Sequence, residues 1–230
     1  MTGLERATWP EVARAVGSGA SLLLPVGSTE QHGPHLPLTT DTDIATAIAT
    51  VAATRHPGLM VAPALAYGSS GEHEGFAGTL SIGRDATEAV LVELGRSASR
   101  AFARTIVVST HGGNHHPVER ALARLLDEGH PVTSWWPDWP GDLHAGRTET
   151  SLMLAIAPDR VHCARAESGD RRPVAELWPE LRAHGVRAVS ANGVLGDPAG
   201  ANAEEGRALL AGAVESLLGT ISQDRSGGAG

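Results

Sequence analysis

SLLLPVGSTEQHGPHLPLTTDTD, residues 21–43, sets how the rest of the chain is read. Its first six residues, Ser21 to Val26, form a short apolar run of the kind buried on both faces of a parallel sheet, with Pro25 marking its end. Gly27 to Asp43 then crowds Glu30, His32, His35, Asp41 and Asp43 into a polar segment that begins where the strand stops. In open α/β sheets, ligand sites lie beyond the carboxyl ends of the strands. The stretch therefore predicts a strand-loop-helix unit carrying a metal-binding loop, with the remaining chain supplying scaffold or the missing partners of that site.

Glu30 and His32 stand two apart, so in an extended segment both side chains point the same way. Asp41, at the start of the next helix, folds back toward them. Such a mixed oxygen and nitrogen set suits Zn²⁺, Fe²⁺ or Mn²⁺, whereas Ca²⁺ takes oxygens only. The plainer alternative is a polar loop with an N-capping aspartate and two solubilising histidines.

Working outward, Thr8 before Trp9-Pro10 predicts a helix start, ended by Gly17 to Gly19. Asp41 to Thr54 reads as an alanine-rich helix, and Gly58 to Leu65 as a second strand. The latter runs into YGSSGEHEGFAGTLSIG, which contains Tyr67, Glu72, His73 and Glu74. Its glycine and serine content favours a solvated loop over one closing on a substrate. Asp85 and Glu88 resemble a capping box for a helix to Ala103. Thr105 to Thr110 is the clearest strand, followed by a helix from Pro117 to Glu128, a strand from Pro131 to Trp136 and a helix from Thr148 to Ala157. Pro173, Pro179, Gly185 and Gly193 break up residues 167–197 into loops, short helices and an edge strand. Asn202 to Ile221 is a last amphipathic helix. The expectation is one α/β domain over residues 1–221, a mostly parallel sheet with helices on both faces, and a disordered tail at 222–230.

The net charge of −8 and the lack of a basic run argue against nucleic acid as a partner. No membrane-length apolar run or signal peptide is seen, so the expected setting is the cytoplasm, with no membrane partner. The single cysteine, Cys163, cannot form an intrachain disulfide and reads as a buried small hydrophobe.

Two further clusters follow predicted strands. HGGNHH, residues 111–116, places His111 nearest the strand end, which makes it the candidate ligand. His115 and His116 read as packing or capping groups at a helix start. His56, His130 and His184 read as surface residues. DLHAGRTETS offers His144 and Glu149, although Asp142 can cap the turn and Glu149 is favoured in the first turn of a helix by the dipole. Taken alone, that last cluster reads as structural. In a parallel sheet, however, all three clusters end on one edge and can converge.

Together GSTEQHGPHLPLTTDTD, the strand followed by HGGN, and HAGRTETS resemble the creatininase family of metal-dependent amidohydrolases, over about residues 20–155. The short length, WWPDWPGD and LMLAIAPDRV are most similar to the family's peptidases of mycofactocin biosynthesis. The resemblance implies a three-layer α/β/α fold and metal ligands at Glu30, His32, Asp41 and His111, with Asp41 bridging two ions. It also implies a catalytic role for His144, with Glu149 as a ligand or catalytic group. Creatininase itself carries a further glutamate two residues after the ligand histidine, where this chain has Gly113. Either Glu149 takes that role, or the second metal site is weaker or holds water.

The implied reaction is hydrolysis of a C–N amide bond, with release of a Val-Tyr dipeptide from the C-terminal region of a small modified precursor peptide. Alternatives are a creatinine-type cyclic amidohydrolase, a pyrimidine-nucleotide deformylase for which Arg147 is the only well-placed phosphate contact, and a non-catalytic, metal-stabilised binding or assembly protein. Trp135, Trp136 and Trp139 either line a pocket for an apolar substrate group or serve the core or a subunit interface. Arg147 and His73 are further substrate-binding candidates. The resemblance implies a ring-type homo-oligomer.

Overall fold

A computed structural model describes residues 3–226. Four parallel strands, β1 (Ser21–Val26), β2 (Leu59–Val61), β3 (Thr105–Ser109) and β4 (Val132–Trp135), form one sheet in the order β2-β1-β3-β4. Register is set by pairs such as Leu23 with Ile106 and Val107 with Ser134. The principal helices are α1 (Trp9–Gly17), α2 (Thr40–Arg55), α3 (Gly83–Ala98), α4 (His115–Asp127), α5 (Arg147–Ile156), α6 (Val174–His184), α7 (Val186–Val189) and α8 (Ala203–Ser226).

The two-residue repeat of the strands divides the core. Leu23, Ile106 and Val108 pack with α2, α5 and α8, together with Ile48, Leu152, Met153 and Leu217. Leu24, Val26 and Val107 face the opposite way, against Leu91 and Val92 of α3 and Val118 and Leu125 of α4. Ala20, Leu22 and Met60 pack under α1. Both faces of every central strand are thus covered, which is why the strands read as unbroken apolar runs.

This layering also locates the crevice. The chain leaves β1 through α2 on one face, whereas it leaves β3 through α4 on the other. The loops at the carboxyl ends of these adjacent strands therefore diverge, and the gap between them is the topological switch point where α/β folds hold ligands. Gly27 brings the two parts close: a Cβ there would lie 2.4 Å from the backbone of Thr42, so only glycine lets the first turn of α2 rest on the end of β1.

Several boundaries differ from the expectation. The second strand is only Leu59–Val61, although Leu65 still bridges to Val26. The third helix begins at Gly83, and Glu88 pairs with Arg120 at 2.7 Å, so the capping box at Asp85 does not form. Residues 167–197 hold α6 and α7, and their β contact is the isolated antiparallel bridge of Leu195 to His144. α8 continues to Ser226, because a polar sequence does not stop a helix whose i to i−4 bonding goes on beyond the buried Ile221; residues 227–230 of the expected tail lie outside the described residues. Cys163 is exposed in a single-turn segment, which corrects its reading as a core residue.

Ile106 is fully buried in β3, while Leu126 on α4 is 55% exposed. Ile106→Ala should cost about 2–5 kcal/mol in chemical denaturation, against roughly 0.5 kcal/mol or less for Leu126→Ala. Equal costs would contradict the assignment of β3 to the core.

Candidate functional site

At the switch point the polar residues of the three segments converge. Glu30 and His32 come from the loop after β1, Asp41 from the first turn of α2, and His111 from the residues after β3. His144 precedes α5 and Glu149 lies in its first turn. Nδ1 of His111 is 3.2 Å from Glu30 Oε1 and 3.6 Å from Asp41 Oδ2. Nε2 of His32 is 3.6 Å from the same Asp41 oxygen and 3.9 Å from Glu149 Oε2. Nδ1 of His144 is 3.9 Å from Glu30 Oε1. Asp41 Oδ2 thus stands between two groups, Glu30 with His111 on one side and His32 with Glu149 on the other. Ser28 supports it by donating a 2.5 Å hydrogen bond to that oxygen.

Each of the three imidazoles has one nitrogen tied to a backbone carbonyl and the other turned into the acidic cluster. His32 Nδ1 meets the carbonyl of Glu30 at 3.1 Å, His111 Nε2 that of Ser69 at 2.8 Å, and His144 Nε2 that of Gln31 at 2.8 Å. A carbonyl can only accept, so these contacts select the N–H form on the outer nitrogen and leave a lone pair facing inward. Both carboxylate oxygens of Glu30 and Nε2 of His32 are buried with no hydrogen-bond partner. Buried polar atoms are ordinarily satisfied, and an orphaned set of this kind needs an explanation. Carboxylate oxygens and imidazole lone pairs converging within bonding reach of a common centre fit a divalent cation of the zinc, iron or manganese type.

The electrostatics point the same way. Burial would push His32 and His111 down, yet the surrounding carboxylates, led by Asp41 for His32 and by Glu30 for His111, lift both to about 10. Burial would likewise raise Asp41 and Glu30, but the two imidazoles hold Asp41 far below and Glu30 below the usual carboxylate range. Burial lifts Glu149 to about 7 against the pull of His32, with Asp41 adding to the rise. The cluster demands positive charge, and without a cation it draws protons onto its histidines. His144 behaves differently: burial and the neighbouring His32 and His73 keep it neutral, well below the ordinary histidine value.

The remaining expected residues divide. His73 is buried, not solvated: its Nε2 is 3.2 Å from Glu30 Oε1, and its Nδ1 lies 2.9 Å from the side-chain amide of Gln31. Burial, with His111 and His32 nearby, lowers it to about 3. Arg147 turns away to Glu205 of α8, with Nε 2.9 Å from a carboxylate oxygen, and is not part of the cluster. Trp135 is a core residue whose indole N–H donates to Ser216 on α8. Trp136 stacks on His115 with ring centroids 4.1 Å apart. Trp139 and Trp135 line a groove of about 470 Å³ against α8 that contains none of the clustered acids or histidines. His35 bonds Thr150 at 2.9 Å, and Asp43 pairs with Arg160 at 2.7 Å, so neither enters the cluster.

Three contributors were not singled out from the sequence. Gln31 is buried beside both His73 and His144. Asn114 clamps the loops, donating to the carbonyl of Gly27 and accepting from the N–H of Ser69, each at 2.9 Å. Ala145 has φ of 53°, and among the described residues it is the non-glycine in the left-handed region; its N–H donates to Glu149 Oε2 at 2.6 Å. Gln31 and Asn114 lie inside EQHG and HGGN, where the carboxylate and the histidines drew the attention. The backbone twist at Ala145 leaves no mark in the sequence.

A sequence model of the creatininase family, described as creatinine amidohydrolase, matches residues 5–221. The mycofactocin precursor peptide peptidase of Mycolicibacterium smegmatis is 50% identical over 216 residues, spanning 90% of this chain and 87% of that protein. The peptidase of the same name from Mycobacterium ulcerans is 47% identical, spanning 94% of this chain and 86% of its own. Among solved structures, a mutant creatininase of Zn-Zn type superposes with a TM-score of 0.81 at 27% identity, covering 96% of this chain and 97% of that one. A manganese creatininase does so with a TM-score of 0.82 at 26% identity, covering 97% and 98%. The chain is a C–N hydrolase that belongs to the creatininase family.

Proposed function

We propose that this chain is a divalent-metal-dependent peptidase that releases a C-terminal Val-Tyr dipeptide from the mycofactocin precursor peptide. The observation that carries the metal chemistry is the convergence of Glu30, Asp41 and Glu149 on inward-facing nitrogens of His32 and His111, with the Glu30 oxygens and His32 Nε2 left unpartnered. The peptide substrate is supported by the names of the relatives at 47% and 50% identity.

In this reading Glu30, Asp41 and His111 would hold one ion, and His32 with Glu149, beside Asp41, would hold a second. Zn²⁺, Fe²⁺ and Mn²⁺ all suit these donors. A divalent cation held there would lower the pKa of a bound water toward neutrality and polarise an amide carbonyl. The chain's own contribution is to place and move protons. His144, neutral and anchored through Nε2 to the carbonyl of Gln31, keeps Nδ1 open toward Glu30. As water adds its oxygen to the amide carbon, that nitrogen takes the water's proton and passes it to the amine nitrogen that leaves when the C–N bond breaks, work suited to a positioned imidazole. Ala145, bonded to Glu149, couples the His144 turn to the carboxylate beside His32. The described residues contain no helix long and apolar enough to cross a membrane. The resemblance adds a ring-type homo-oligomer, and the cytoplasm is the proposed setting.

Mass spectrometry of a peptide ending in Val-Tyr, incubated with zinc-, iron- or manganese-loaded protein, should show loss of the two terminal residues. His144→Ala should lower kcat by about 10²–10⁴-fold with metal content unchanged. Turnover of creatinine with an intact peptide would reverse the substrate reading, and near wild-type peptide cleavage by His144→Ala would remove its assigned role.

A second prediction follows from His32 and His111, which hold protons up to about pH 10 in the cation-free site. A metal takes the same lone pairs, so binding at pH 7.5 should release roughly two protons, and affinity should weaken as pH falls. Calorimetry in two buffers of different ionisation heat measures this directly. Zero net proton release would show that the imidazoles are already neutral.

A further inference from the structure

Glu72 lies outside the groups proposed above, on a turn whose neighbouring residues are held by hydrogen bonds, with its own side chain a third exposed. It sits in the single turn Gly71–His73, between Ser69 and Ser70 on one side and His73 on the other. Asn114 fixes the N–H of Ser69, the hydroxyl of Ser81 fixes that of Ser70, and Gln31 holds the His73 ring. From this frame Glu72 Oε1 reaches to 3.5 Å from Nε2 of His111, the nitrogen that points away from Glu30 and Asp41. The same nitrogen donates to the carbonyl of Ser69 at 2.8 Å. Gly113 is what leaves room for the arrangement. A Cβ at that position would lie 2.2 Å from Glu72 Oε1, 2.2 Å from the Ser69 carbonyl oxygen and 2.4 Å from His111 Nε2.

We infer that Glu72 is a positioning residue for His111. The Ser69 carbonyl accepts the Nε2 N–H, and the Glu72 carboxylate, an ion-pair partner 3.5 Å away, favours the proton on that nitrogen, so that Nδ1 presents its lone pair to the space shared by Glu30 and Asp41. Carboxylates placed behind a ligating imidazole fix its orientation and strengthen it as a donor. Glu72 is not itself a ligand of that ion, because it lies behind the ring. Gly113 is glycine because the volume its side chain would need belongs to Glu72 and to the Ser69 carbonyl. The inference rests on the metal reading proposed above.

The test is zinc affinity, measured by competition with a chromogenic chelator, for Glu72→Ala, Glu72→Gln, Gly113→Ala and the reference Asp41→Asn, with melting of each metal-free protein as a check on folding. Glu72→Ala and Gly113→Ala should each weaken zinc binding by about 10–100-fold. Glu72→Gln keeps size and hydrogen-bonding shape and loses only the charge, so it should also fall at least several-fold, with unchanged metal-free melting. Zinc affinity within twofold of wild type in Glu72→Gln, while Asp41→Asn loses zinc, overturns the inference and leaves the metal centre standing. Retention of zinc by Asp41→Asn overturns the metal centre and the inference with it.

Discussion

Buried negative charge governs this molecule. Glu30 and Asp41 are almost fully excluded from water, Glu149 nearly so, and among the described residues their ion-pair partners are histidines. Isolated carboxylates in such a setting are costly unless paired or ligated to a metal. Here the pairing groups are imidazoles whose other nitrogens are already committed to backbone carbonyls. The site can satisfy its acids by drawing protons or by taking a cation, and the geometry of inward lone pairs favours the cation.

The sheet makes that concentration of charge possible. β1 and β3 are adjacent and parallel, yet their chains leave toward opposite faces, so the loops beyond Val26 and Ser109 part and leave a crevice. Gly27, Asn114 and Ser28 then close the crevice wall through backbone contact and short hydrogen bonds. The loop at 66–82 and the short helices α6 and α7 roof it: Phe76 packs with Leu177, Leu181 and Val186, and Arg187 lies over the Phe76 ring. The cost of desolvating the acids is offset by a fold whose hydrophobic core lies on both sides of the sheet.

Much of this was legible in the sequence, for identifiable reasons. β1 and β3 are buried on both faces, so their apolar runs mark them almost to the residue, and the first metal segment follows at once. Glu30, His32, Asp41, His111, His144 and Glu149 are carried by motifs that survive as continuous text. The structure brings all six together. What was not legible depends on empty volume and on contacts between distant segments. The glycine and serine content of residues 67–83 reads as solvation, yet Ser69, Ser70 and His73 are buried because Asn114, Ser81 and Gln31 satisfy their polar groups. Three tryptophans in one run can line a pocket or fill a core, and strand alternation sends Trp135 into the core and Trp136 to the other face. Arg147 looks available until α8 supplies Glu205, and the sequence does not show that Glu72 occupies the space beside Gly113.

The central claim is that Asp41 is shared by two metal-holding groups of this chain. Anomalous diffraction at the zinc absorption edge, from crystals grown with zinc, tests it most directly. The account predicts two peaks flanking Asp41, one beside Nδ1 of His111 and Glu30, the other beside Nε2 of His32 and Glu149. A peak on His35 in place of His32, or ions bound away from Asp41 altogether, would contradict it.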